Sequence, residues 1–167
     1  MGFNISVENS CKLIAISGDR YDQTATQADI VLENMEDGTS YTVTMAYDGS
    51  GKGTLNFPSE NLPSQYGVYR ACLSENGLEY GCKPFIIKCN IDCCLNKLTY
   101  ELIDCHCDCA RCATAMAKAQ KIYLLLQSAI SSVEIAGENQ SNSYYIDILH
   151  KYNKAKEICD NSCGCDC

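Results

Sequence analysis

From Cys11 to Lys88 the chain alternates between apolar and polar positions. Cys11–Ser17, Ile30–Glu33, Ser40–Tyr47, Gly53–Phe57, Tyr66–Ser74 and Lys83–Lys88 read as short strands, each bounded by turn formers. In Tyr41-Thr42-Val43-Thr44-Met45-Ala46-Tyr47 the large residues fall on one face and the small ones on the other. Glu36-Asp37-Gly38, Asp48-Gly49-Ser50-Gly51 and Glu75-Asn76-Gly77 supply turns that tolerate positive φ. Six or seven strands at this spacing predict a small antiparallel sandwich over residues 1–88. The stretch Leu62-Pro63-Ser64-Gln65-Tyr66-Gly67-Val68-Tyr69-Arg70-Ala71 reads as the approach to a late strand of an immunoglobulin-like domain, where a tyrosine often pins the preceding corner.

From Cys89 the period becomes helical. Ile91, Leu95, Leu98 and Leu102 predict a short amphipathic helix. Met116, Ala119, Tyr123, Leu126, Ile130 and Val133 predict a longer one, and Tyr145, Ile148, Tyr152, Ala155 and Cys159 a third. The polar break from Gly137 to Ser143 offers Ser141, Asn142 or Ser143 as an N-cap. Two matched stripes joined by a short loop make an antiparallel hairpin with arms roughly 30 Å long. The expected fold is α+β, with an immunoglobulin-like sandwich (residues 1–88) followed by a cysteine-rich three-helix module (residues 89–167).

That hairpin gives the cysteines their meaning. Cys105, Cys107, Cys109 and Cys112 lie just before its first arm, and Cys159, Cys163, Cys165 and Cys167 at the end of its second. The two clusters are therefore expected to meet, with thiols for one or two tetrahedral zinc sites. Thiolates select zinc or an iron-sulfur cluster over hard cations, and zinc needs no assembly machinery. A closed thiolate site has no open position for catalysis, so its purpose would be structural. Cys109, Cys112, Cys163 and Cys165 are the most central candidates. Cys89 or Cys93 could serve as an extra ligand, while Cys94 reads as a small buried hydrophobe and Cys11, Cys72 and Cys82 as core thiols. His106 is expected to point away from its alternating neighbours, and His150 to be solvated.

Composition adds limits. The chain has 167 residues, 20% of them charged and 46% hydrophobic, which argues for folded structure. A net charge of -8 without a basic stripe argues against nucleic-acid binding. Met1-Gly2-Phe3-Asn4-Ile5-Ser6 lacks the form of an export signal, although it fits the short and common myristoylation pattern. No apolar run is long enough to cross a bilayer. A reducing cytoplasm is thus expected, where fourteen cysteines call for metal before disulfides. A secreted disulfide scaffold is the competing reading.

The case for an enzyme is thin. There are two histidines, no nucleophile elbow and no His-x-x-x-His pair. Gly49-Ser50-Gly51-Lys52-Gly53 fits a hairpin turn better than a phosphate loop. Cys109-Ala110-Arg111-Cys112 has a redox form but is crowded by other thiols.

The C-terminal half carries a longer pattern. It runs from Cys93-Cys94-Leu95 through the first cluster to Lys121-Ile122-Tyr123-Leu124-Leu125-Leu126-Gln127-Ser128-Ala129, and closes with Tyr152-x-Lys154-Ala155-x3-Ile158-Cys159 and the cysteine-rich tail. Over roughly residues 89–167 this resembles small structural proteins of crAss-like phages infecting gut Bacteroidetes, in the group that forms neck and tail rings. The resemblance implies a virion component made in the host cytoplasm, a cyclic homo-oligomer. Its partners would be the portal, neighbouring ring or tail proteins, and fibres. Eleven tyrosines would suit subunit interfaces, though tyrosine is also common in strands. The alternatives are a cellular zinc-stabilised adaptor and, further off, a thiol oxidoreductase.

Overall fold

The computed structural model describes residues 2–103, 109–138 and 140–163. Seven strands come first: β1 Phe3–Glu8, β2 Leu13–Asp19, β3 Gln27–Asn34, β4 Ser40–Ala46, β5 Lys52–Pro58, β6 Gly67–Glu75 and β7 Leu78–Ile87. Three helices follow: α1 Cys89–Ile103, α2 Cys109–Ile135 and α3 Asn142–Cys163. The strands form two antiparallel sheets, β1-β2-β5 and β4-β3-β6-β7. The facing sides of the sheets bury Phe3, Ile14, Ile30, Met45, Leu73 and Phe85. Alternation is the cause: in β4, Val43 and Met45 are buried while Thr42, Thr44 and Ala46 are exposed.

The predicted turns fall between the strands, with Gly38, Gly51 and Gly77 all at positive φ. The approach to β6 is pinned as the sequence leads one to expect. The Tyr69 hydroxyl accepts from the Ser64 amide at 3.0 Å and donates to the Ser64 carbonyl at 2.5 Å. With its ring stacked on Phe85 at 5.1 Å, Tyr69 joins corner and core.

The outer face of the second sheet is covered. Val68 on β6 and Ile86 on β7 belong to a second apolar cluster with Ile91, Cys94, Ile122 and Ile148 from the helices. The molecule therefore has three layers: a three-stranded sheet, a four-stranded sheet and the helices. The segment between α2 and α3 reaches back to the outer strand, where the Cys82 amide donates to the Glu138 carbonyl at 2.8 Å. A Cβ on Gly81 would come within 2.8 Å of Glu138 Cβ, so the missing side chain is what permits this approach. Tyr21 donates to the Glu138 carboxylate at 2.6 Å, and Lys83 lies 3.9 Å from it.

Within the helices, α3 follows its predicted stripe. Tyr145, Ile148, Tyr152, Ala155 and Cys159 are all buried. The predicted stripe of α2 needs correcting in part: Leu126 is buried and Ala119, Ile130 and Val133 pack against the core, but Met116 and Tyr123 are exposed, and Ala115, Ile122 and Ala129 are buried instead. Residues 115–130 are apolar on more than one side, so two stripes one residue apart compete. Small and branched aliphatic side chains occupy the face shared with α1 and α3, leaving the phenol of Tyr123 outside.

Candidate metal centre

Of the eight cysteines expected to bind metal, Cys105, Cys107, Cys165 and Cys167 lie outside the described residues, as does His106. Cys109 and Cys112 fall in the first turn of α2, and Cys163 ends α3. The pairing between these helices is antiparallel. Tyr144 bonds the Ser132 carbonyl, Lys121 and Leu125 line a groove with Lys154 and Ile158, and Ala117 lines one with Asn161. Cys159 is buried among the apolar residues of the helical cluster, which also holds Cys94. His150 is exposed, as expected.

The other cysteines correct the expectation of reduced thiols. Cys11 is joined to Cys89, and Cys72 to Cys82, so three residues read as core thiols are crosslinked. Cys89 and Cys93 were candidate extra ligands, and both are disulfide-bonded. Cysteines one residue apart pair poorly, because extended geometry points their side chains apart. Topology sets no such limit on distant pairs: Cys11 and Cys89 are 78 residues apart, and Cys72 and Cys82 are direct cross-strand partners on β6 and β7. The Glu75-Asn76-Gly77 turn carried only part of the signal: with Glu75 opposite Leu78 an unbroken register would set Cys72 against Gly81, and the shift between Leu73 and Ser74 moves its partner to Cys82.

Sequence reasoning also missed the company this pair keeps. Ligand atoms of Cys72, Glu79 and Cys82 all lie within 4.8 Å of one another, a possible metal-binding triad whose two sulfurs are here bonded together. Arg70 Nη2 is 3.4 Å from Cys82 Sγ, and the guanidinium lies over the Tyr145 ring at 5.5 Å.

Three tyrosines around the interlayer contacts are held neutral. Burial is the largest cause for each, and carboxylates add to it for Tyr21 (through Glu138) and Tyr47 (through Glu75). Tyr152 donates to Asn90 Oδ1 at 3.2 Å, and burial pushes its pKa up from 10.0 to about 12. A raised acid pKa favours the fold below the unfolded value and loses that contribution as pH rises through the folded one. Helix stability is therefore expected to fall between pH 10.0 and about 12, and Tyr152→Phe to flatten that fall. Denaturant midpoints of both proteins across this range, followed by far-ultraviolet dichroism, provide the check; superimposable profiles would contradict it.

No protein-family model and no curated protein matches the chain. Among solved structures, the chain is similar to the catalytic module of the multi-modular glycogen-degrading pneumococcal virulence factor SpuA in complex with an inhibitor. The likeness has 14% identity and a TM-score of 0.35, and covers 48% of this chain and 12% of that one. A similarity of this size carries no argument about activity. No helix among the described residues is long and apolar enough to cross a membrane.

Proposed function

We propose that this chain is a non-enzymatic building block of a phage particle, a ring-forming subunit of the head-tail connector or tail. Its helical end would be closed by one or two structural zinc ions. The observation that carries the zinc reading is the course of the hairpin. The bond of Tyr144 to Ser132 and the grooves shared by 121 with 154 and by 117 with 161 follow an antiparallel course toward Cys112 and Cys163, which supports a meeting of the two cysteine clusters. A donor set of thiolates fits zinc, with Cys105, Cys107, Cys109, Cys112, Cys159, Cys163, Cys165 and Cys167 as the residues that would hold it. When bound, the metal would tie together two helix ends that have little core of their own.

An immunoglobulin-like sandwich is part of the same reading. The corner held by Tyr69 supports it, as does a three-plus-four arrangement. β4 lies beside β3, unlike the constant-type order in which the fourth strand joins the first sheet. A ring subunit needs surfaces for two neighbours, and Tyr100, Tyr123, Leu124, Ile135 and Ile146 offer exposed apolar side chains on the helices. The virion role itself rests on the resemblance of residues 89–167. Portal, adjacent ring or tail proteins and fibres are the partners it implies.

Mass spectrometry of purified virions tests the role: the protein is expected in multiple copies, and its absence from particles would overturn the proposal. Native mass measurement of the isolated protein is expected to give a closed oligomer with zinc at fixed stoichiometry. A metal-free monomer would count against both ring and zinc. Cys112→Ser or Cys163→Ser is expected to lower zinc content and helicity while leaving the sandwich folded, and unchanged values for both would remove the metal from the hairpin end.

A further inference from the structure

The geometry points to a second metal site, on the outer face of the β6-β7 hairpin, that exists only when the Cys72–Cys82 disulfide is reduced. Its ligands are Cys72, Cys82 and Glu79, and the metal class is a borderline-soft divalent cation such as zinc. None of the hairpin-end cysteines takes part, so the site is independent of a virion role.

Register explains why three ligands share one face. On β6, Arg70, Cys72 and Ser74 point the same way by strand period, away from the sandwich core. Their partners on β7 are Pro84, Cys82 and Glu79. In a regular strand Glu79 and Cys82, three positions apart, would face opposite sides. The register shift between Leu73 and Ser74 gives β7 one extra residue, Tyr80, and carries Glu79 round to the cysteine face. Glu79 Oε1 ends 3.5 Å from Cys82 Sγ.

Charge supports the assignment. Arg70 Nη2 lies 3.4 Å from Cys82 Sγ, while its Nε is buried without a hydrogen-bond partner. Against a neutral disulfide sulfur this guanidinium gains little. Two thiolates, one carboxylate and a divalent ion sum to one negative charge, which Arg70 would neutralise as a donor to the Cys82 thiolate. Three protein ligands and a water complete the tetrahedron, with sulfurs opening to roughly 3.8 Å apart about a metal at ~2.3 Å.

The conversion balances with a dithiol as reductant. The dithiol gives two electrons and two protons to the Cys72–Cys82 bond and leaves as its own disulfide. Zinc then displaces the two thiol protons to solvent. Cys72 is the half-buried sulfur and Cys82 the buried one, so attack at Cys72 would release the Cys82 thiolate beside Arg70.

The test counts zinc by native mass spectrometry on the full chain, comparing wild type with the double variant Cys72→Ser/Cys82→Ser, each reduced and oxidised. Reduced wild type is expected to hold one zinc more than the reduced double variant, and the difference to vanish on oxidation. Equal zinc counts in the reduced proteins would overturn the site. A difference that survives oxidation, with the Cys72–Cys82 bond verified by peptide mass, would overturn its redox control. Because Glu79 is exposed, Glu79→Gln is a substitution the fold tolerates. It is expected to weaken that one zinc by about tenfold or more without changing the others. An unchanged affinity would remove Glu79 from the ligand set.

Discussion

Replacing Cys11 and Cys89 together by serine is expected to lower stability by about 4 kcal/mol. The crosslink spans 78 residues, and loop-closure entropy grows with that length. It fastens the β1-β2 turn to the first residue of α1, and so ties the first sheet to the start of the helical half. The turn has its own cost, because Asn9, Ser10 and Cys11 all sit at positive φ. Relief of that conformation in the variant offsets part of the loss. Equilibrium denaturation with and without reductant measures the effect. Because reductant also opens Cys72–Cys82, wild type in reductant should match the double variant in the same reductant, and a wild-type midpoint indifferent to reductant would show that the crosslink contributes nothing.

Glu75→Ala is expected to cost about 3 kcal/mol, since several half-buried donors lose a charged acceptor at once. Glu75 is 1% exposed at the end of β6. Its carboxylate accepts from the Tyr21 amide at 3.0 Å, the Asp22 amide at 2.7 Å and the Tyr47 hydroxyl at 2.5 Å. These bonds hold the β2-β3 connection against the sheet and keep the Tyr47 phenol protonated, with burial as the larger cause. Glu75→Gln retains one acceptor oxygen and should lose about half as much. Amide hydrogen exchange at Tyr21 and Asp22 should accelerate in step with the stability change. A loss below about 1 kcal/mol for the alanine variant would mean that water replaces the carboxylate.

Where pattern and packing agree, the sequence was a sufficient guide. The strand set from β2 to β7 follows from alternation and turn residues, and α3 from a stripe in which every predicted position is buried. β1 is a strand beyond the six predicted ranges although Phe3-Asn4-Ile5-Ser6-Val7-Glu8 alternates cleanly, because at the chain start the same residues also bear on export and lipidation patterns. In α2, apolar residues on several sides left the phase to be decided by neighbours. The cysteine pairs needed register, which residue types alone do not supply. Glu79 needed the bulge as well, and one extra residue in a strand is invisible to a period-two reading. Of the hairpin-end cysteines, four lie outside the described residues, so their expected cluster meets the structure only through the course of α2 and α3.

The bond from the Cys82 amide to the Glu138 carbonyl has a meaning beyond joining two layers. β7 is the last strand of its sheet, and a bare last strand is a template on which another chain can add. The connection between α2 and α3 occupies that border, with Gly81 shaped to receive it. A sandwich severed from its helices would expose the border and become prone to strand-by-strand aggregation. With the helices in place, lateral growth from β7 is hindered at Cys82, and the helices, the loops, β4 and the first sheet are the approaches left to a neighbour.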